Sequence, residues 1–444
     1  MSANPLNILD VVQGHMCTGC GACAYARPGR LQMIDTADLA RRPVVTGESS
    51  SHDDLVDAVA VCPGIAWPAA PARPASGHAD LYDEWGPILE IWEGNAVDAE
   101  IRFRGSSGGV VTALALSAIE QGRMAGALHV RARDDAPLLN ETVLSRDRES
   151  LLKGAGSRYS PASPCEELGQ IEIAEGPCVF IGKPCDVAAV TKVRRVNSEI
   201  DRKLGLTIAI FCAGTPSLRG TVELAKKLGA DDPSQIEEVR YRGHGWPGEI
   251  TAKWRDEGTG ELRTGAVSYE EGWGNTLQKY RQWRCHVCAD HTGESADVSV
   301  GDPWYRPVQA GEAGRSLVLV RTEQGRRMVR QAVEAGYLEL ERRESWVLPA
   351  SQQHLLRTRG SIWGRVTASW LAGVAVPTHL QMKLFTAWWR RLSWKERIQS
   401  LTGTIARIFR RKLHRPERVI PASVMLKEKG ITPASPEPVH AVEV

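Results

Sequence analysis

Ten cysteines stand in this 444-residue chain, and the tight spacing of several of them points to metal rather than to disulfides. Cys17, Cys20 and Cys23 form CxxCxxC, a spacing that lets one loop reach three corners of an iron–sulfur cubane. Zinc sites favour separated pairs, so zinc is the weaker reading. In the two-cluster ferredoxin run a fourth cysteine comes next, precedes a proline and serves the other cluster. Here that place holds Arg27 and Pro28, whereas Cys62-Pro63 keeps the second half of the motif. One [4Fe–4S] cluster is therefore expected on Cys17, Cys20, Cys23 and Cys62. Cys285 and Cys288 form a further CxxC, which by itself fits a redox dithiol, half a zinc site or half a cluster. Cys185 and Cys212 each follow an apolar, strand-like run, and strand ends are where open α/β sheets present ligand groups. With Cys285 and Cys288 they would make a second [4Fe–4S] site. Cys165 and Cys178 remain as ordinary thiols, Cys178 for packing.

A second group of residues suits a nucleotide. Ser106, Ser107, Gly108 and Gly109 form a small-residue loop that runs into an apolar helix, with Thr112 in its first turn. Backbone N–H groups there suit a phosphate, although a plain helix-capping turn reads the same. The loop from Lys153 to Ser160 offers Ser157, Arg158 and Tyr159, and Lys183 beside Cys185 is a further candidate cofactor contact. For catalysis the candidates lie in Tyr241–Gly248: Arg242 for an anionic group, Trp246 for a flat ring and His244 for a proton. A glycine hairpin with a packing Trp is the competing reading, and for His244 the favoured one. Asp302 and Trp304, in GDPW, fit a structural turn or a cofactor contact equally.

These residues need a scaffold. Composition, 42% apolar and 24% charged, is that of a globular chain, and a net charge of +2 excludes a general nucleic-acid binder. Ala127–Val130, Cys178–Ile181 and Leu206–Ile210 read as buried strands. Residues 108–121, 217–228 and 325–335 read as helices between them. The expected class is mixed α/β with an at least partly parallel sheet, and a strand-rich insertion over 239–267. The expected division is a ferredoxin-like iron–sulfur segment with linker over 1–89, a flavin-binding body over 90–200 and 201–350, and a helical extension over 351–444. Ala66–Ala75 reads as an exposed connector, and the stretch after Pro416 as a loose tail. The start has no secretory signal and no run is long enough to span a bilayer, so a cytoplasmic protein is expected. Residues 383–415 hold ten Lys and Arg against the single acid Glu396, among tryptophans. That pattern suits a helix on an anionic membrane surface, on an acidic partner, or packed on its own domain with a solvated basic face.

The runs CTGCGAC, GSSGGVVTAL, GSRYSP, FIGKPCD, IFCAG, YRGHGWPG, RCHVCAD and VSVGDPW, in this order over residues 15–305, resemble the family of the coenzyme F-420 hydrogenase and dehydrogenase beta subunits. That family includes the plant 7-hydroxymethyl chlorophyll a reductase. The resemblance implies FAD near Ser106–Gly109 and Ser157–Tyr159, and cluster ligation by Cys185, Cys212, Cys285 and Cys288. It also implies an oxidoreductase working between clusters and flavin, with a ferredoxin-like or deazaflavin electron partner and a small-molecule substrate. Two alternatives remain: an electron-transfer subunit with no substrate of its own, and a sensing protein that keeps its clusters without turnover. The resemblance does not reach the Trp/Arg-rich C-terminal region.

Overall fold

The computed structural model of the chain describes residues 7–46, 55–69, 71–309, 311–379 and 382–422. Thirteen strands form three sheets among these residues. An N-terminal hairpin pairs β1 (Leu31–Asp35) with β2 (Arg41–Val45). The main sheet contains β3 (Glu90–Ala96), β4 (Ala127–Ala132), β5 (Asn140–Ser145), β6 (Cys178–Gly182) and β7 (Leu204–Ile210). A small antiparallel sheet of β8 (Ile236–Arg240), β9 (Glu249–Arg255) and β10 (Leu262–Ser268) is the expected strand-rich insertion. β11 (Val298–Gly301), β12 (Ser316–Val320) and β13 (Leu338–Arg342) complete the main sheet in the order β13-β3-β12-β11-β7-β6-β4-β5.

The chain is thus mixed α/β, with one large mixed sheet and a helical C-terminal part. β11, β7, β6 and β4 run parallel at its centre, and antiparallel pairs close both ends. The parallel strands are near-continuous apolar runs because helices cover both faces. One face packs on Val110–Glu120 and Glu323–Glu334, whose Val110, Leu114, Met328 and Val329 meet Val179, Ile208 and Val318. The other packs on Pro184–Arg194, where Val187 and Val190 meet Leu128 and Phe180. Cys20, Ala22 and Val61 join that second core, so the N-terminal segment is sealed onto the body.

Two expectations about connections need correction. The segment after Ala66 is not uniformly exposed: Trp67 is buried, its backbone N–H donates to the Thr378 carbonyl, and Lys192 Nζ donates to the Ala66 carbonyl. Within Ala66–Ala75, Ala72, Arg73 and Ala75 are exposed. The start of the predicted tail is also fixed. Glu417 pairs with Arg42 at 2.6 Å and with His15 at 3.3 Å, and Ala422 is buried. Residues 423–444 lie outside the described residues.

His129 on β4 gives a first prediction. With the imidazole neutral, Nδ1 donates to the Val130 carbonyl (3.3 Å) and Nε2 accepts from Ser145 Oγ (2.8 Å). Burial pushes its pKa down to about 4. A pKa lower in the folded than in the unfolded chain means stabilisation that is complete above about pH 6.5 and lost as pH falls towards 4. The loss attributable to His129 should be on the order of 3 kcal/mol. Urea midpoints measured between pH 7 and 4 should fall steeply in the wild type and more shallowly in His129→Gln; equal slopes would contradict this account.

Candidate functional site

The carboxyl ends of the parallel strands carry several of the residues singled out by sequence. β6 leads into Lys183 and Cys185, β7 into Cys212, and β11 into Asp302 and Trp304. β3 points the same way as β11, and the loop near its end packs on the start of β12. Ser107 Oγ lies 2.7 Å from Ser316 Oγ, and Gly108 N–H donates to Ser316 Oγ at 2.9 Å. Gly108 is required by close approach, since a Cβ would come 2.6 Å from the Gly94 carbonyl oxygen.

The N-terminal cysteines converge. Cys62 packs with Cys23 in one apolar cluster and with Cys17 in another, and the thiols of Cys17, Cys20, Cys23 and Cys62 lie close enough to perturb one another. Burial pushes Cys17 up to about 12 and also raises Cys23 and Cys62. Cys20 departs from this pattern: a hydrogen bond with Cys165 brings it down to about 7. Backbone N–H groups face the sulfurs, Gly19 donating to Cys17 Sγ at 3.4 Å, with Ala22, Ala24 and Gly64 placed likewise at Cys20, Cys23 and Cys62. Amides aimed at desolvated sulfur suit metal-bound thiolates, because metal ligation offsets the cost that burial puts on the free thiolate.

The second set also assembles. Cys185 senses Cys212 and Cys288, while Cys212 and Cys288 both sense Cys285. Burial pushes Cys212 and Cys288 up to about 12 and raises Cys185. Thr215 N–H donates to Cys285 Sγ at 3.3 Å. Arg281 faces both Cys285 and Cys212, and Arg411 faces Cys285. The guanidinium groups of Arg281 and Arg411 meet only backbone carbonyls and no carboxylate among the described residues, so positive charge faces these sulfurs. No three His, Cys, Asp or Glu side chains among the described residues are close enough to hold a single metal ion.

One helix, Pro184–Arg194, joins the two sets: Cys185 is in its first turn, and Lys192 further along donates to the Cys62 carbonyl at 2.6 Å. Cys165, read from sequence as an ordinary thiol, sits between them. Its N–H donates to the Cys20 carbonyl at 2.9 Å and its Sγ to the Asp186 carbonyl at 3.5 Å. Nothing local in the sequence marks it, because its neighbours come from 145 and 21 residues away. Cys178, at the start of β6, is buried in the core as expected.

The serine loops meet as well. Ser157 Oγ donates to Ser106 Oγ at 2.8 Å, and the loop of residues 241–248 closes over both, with His244 N–H donating to the Phe103 carbonyl at 2.7 Å. Thr112 is half-buried in the helix behind them. Partly exposed Tyr159, Tyr269, Trp273 and Trp304 line this region. Trp246, Trp304 and Tyr269 stack in nearly parallel succession, with ring centroids 5.4 and 6.0 Å apart.

Three candidates are placed differently from expectation, and a fourth, His244, follows the glycine-hairpin reading favoured for it. Arg242 is buried and bound to Asp302 through both terminal nitrogens, at 2.7 and 2.9 Å, so its charge is already satisfied. Burial opposes its charge, but Asp302 prevails and holds its pKa above the usual range. His244 is exposed, at φ 58°, and stacks on Phe103 at 5.0 Å, outside the aromatic group. Arg158 is turned inward, donating to Asn140 Oδ1 and to the carbonyls of Val239 and Pro137, so it braces the loop. Lys183 lies with the second cysteine set, paired to Asp186 at 2.7 Å, and not with the serine loops. The Lys183-x-x-Asp186 spacing was the available signal for that placement.

Residues 91–168 match the family model of the coenzyme F420 hydrogenase/dehydrogenase beta subunit N-terminal part, and residues 177–345 match that of its C-terminal part. The chain belongs to the coenzyme F420 hydrogenase/dehydrogenase beta-subunit family. Among its relatives in that family is an uncharacterized protein of Methanocaldococcus jannaschii, 27% identical over 365 residues, or 74% of this chain and 90% of the relative. The coenzyme F420 hydrogenase subunit beta of Methanosarcina barkeri is 26% identical over 264 residues, 57% of this chain and 82% of its own. The coenzyme F420-dependent sulfite reductase of M. jannaschii is 24% identical over 344 residues, 73% of this chain and 47% of its own. A chain of the F420-reducing [NiFe] hydrogenase complex from M. barkeri superposes with a TM-score of 0.49 at 22% identity, covering 64% of this chain and 94% of its own. The beta-subunit family match ends at residue 345, before the C-terminal helices begin.

Proposed function

We propose that this chain is an iron–sulfur flavoprotein that passes electrons between two [4Fe–4S] clusters and FAD, with a deazaflavin coenzyme as the hydride partner. The observation that carries this reading is the convergence of two four-cysteine sets linked by the helix Pro184–Arg194, with the second set, the serine loops and the aromatic group at the carboxyl ends of the sheet's strands. Cys17, Cys20, Cys23 and Cys62 would hold one cluster, and Cys185, Cys212, Cys285 and Cys288 the other. Ser106, Ser107 and Ser157 would hold FAD through their hydroxyls and the adjacent backbone. FAD, when bound, supplies the exchange between single-electron and hydride transfer.

The protein's own part is placement and charge. Amide N–H groups stabilise negative sulfur, and Arg281 and Arg411 offset the charge of the second set. The Arg242–Asp302 pair fixes the Trp246–Trp304–Tyr269 stack, because Asp302 also accepts from Trp246 Nε1 at 2.9 Å and Arg242 lies over the Tyr269 ring at 4.5 Å. A flat aromatic wall held by that pair suits a planar ring system. Cys165 and the Asp186 backbone give a compact covalent and hydrogen-bonded connection between the cysteine sets.

Relatives named as beta subunits of hydrogenases and formate dehydrogenases favour a second reading, in which the chain works inside a larger complex. Anaerobic purification with flavin and iron determination, followed by a deazaflavin reduction assay, tests both. Bound flavin with about eight irons per chain supports the proposal. Iron below about four per chain without flavin sinks it. Deazaflavin reduction that requires a co-purifying partner selects the complex.

A further inference from the structure

We infer that the C-terminal helices form a peripheral docking face for an anionic lipid surface. Helix Trp394–Arg411 is amphipathic in the inverse sense. Its inward side is built of Ser400, Thr404 and Ile408, with Ser400 packed at Gly364 of the long helix Gln353–Leu371. Its outward side carries Trp394, Ile398, Ile405 and Phe409, spaced four, seven and four residues apart with half-buried Leu401 between them, which is one stripe of an α-helix. Trp394 is 65% exposed, Ile398 52% and Phe409 62%. The preceding helix, Leu384–Arg391, repeats the arrangement: Leu384 and Ala387 turn inward while Phe385 and Trp389 remain exposed. Trp370 and Leu371, at the end of the long helix, are exposed too.

Such a patch needs an occupant, since contiguous aromatic and aliphatic surface in water is unfavourable. Charge identifies it. Residues 383–415 carry ten Lys and Arg and one acid. Arg391 and Lys383 pair with Glu84 and Asp83, but no ion pair among the described residues engages Arg390, Arg410 or Lys412. A second copy of this face would bring like charges together. Residues 423–444 hold Lys427 and Lys429 against Glu428, Glu437 and Glu443, too little charge to neutralise the face. A protein interface would satisfy the aromatics but depends on acids arranged to match scattered arginines. Anionic headgroups beside acyl chains meet both demands over the whole stripe. Tryptophan is at home in that layer. No helix among the described residues is long and apolar enough to cross a bilayer, so the contact would be one of lying on the surface.

The test is co-sedimentation of the purified full chain with phosphatidylcholine vesicles, with and without phosphatidylglycerol. The wild type should sediment with the anionic vesicles and be released by high salt. The variant Trp394→Ser/Ile398→Ser/Phe409→Ser should partition about tenfold more weakly or worse, with unchanged circular dichroism. Arg390→Gln/Arg410→Gln should weaken binding and flatten its salt dependence. Quenching of tryptophan fluorescence by brominated lipid should be strong in the wild type and reduced in Trp394→Phe. Absence of wild-type binding, including binding only to an acidic protein, overturns the inference. So does binding that appears only after residues 423–444 are removed, which would place that segment on the face.

Discussion

Replacing Asp302 by alanine should destabilise the protein by about 3–5 kcal/mol, because it strands a buried guanidinium. Asp302 accepts from both terminal nitrogens of Arg242 and from Trp246 Nε1, and Arg242 has no other carboxylate partner among the described residues. The same carboxylate anchors the turn after β11 to the loop of residues 241–248, so the loss also loosens the aromatic stack. A lower urea midpoint in Asp302→Ala, a smaller loss in Asp302→Asn, which keeps acceptor capacity, and partial recovery in Arg242→Met/Asp302→Leu should be seen together. Recovery is expected because an apolar pair removes the unpaired charge. If Asp302→Ala unfolds at the wild-type midpoint, the pair does not hold the loop.

That pair also shows where sequence reading ends. Arg242 could be singled out as a charged residue in a glycine-rich loop, and Asp302 as the end of an apolar run, but they are 60 residues apart. Their meeting is decided by the order of strands in the sheet, which local pattern does not encode. The apolar runs of β4, β6 and β7 were legible because strands covered on both faces lose the period-two alternation and become continuous. The antiparallel sense of β3, β12 and β13 was not, since apolarity carries no direction. The two cysteine sets were legible for different reasons, one from CxxCxxC spacing and the other from the position of thiols after strands. Cys165 was not, because its importance comes from long-range packing against Cys20. Glu417 was hidden by a composition that resembles a tail, while its carboxylate reaches back to Arg42 and His15. In the C-terminal helices the period was legible, but which side faces inward was not: small Ser400 and Thr404 pack beside Ile408, while the large Trp394, Ile398 and Phe409 do not.

The two cysteine sets should fail independently. Cys23→Ala removes one corner of the N-terminal set and Cys288→Ala one corner of the other, so each variant should lose about four irons and keep about four. Separate electron paramagnetic resonance signals of the reduced protein should disappear one at a time. Cys178→Ala is the control, since Cys178 starts β6, at the strand end opposite Cys185, is perturbed by burial, Arg146 and Lys203 and by no other thiol, and should leave the iron content unchanged. Cys23→Ala should carry a further penalty. The N-terminal segment has only short helices, Ile8–Gln13, Ala22–Ala26 and Val56–Ala60, and a two-stranded hairpin, so ligation would supply much of its folding free energy. Limited proteolysis should therefore cut Cys23→Ala within residues 7–65 while sparing the body, whereas Cys288→Ala should expose the 281–290 loop. Loss of all iron in both variants would mean that the sets form one interdependent site, and equal loss in Cys178→Ala would remove the assignment of ligands altogether.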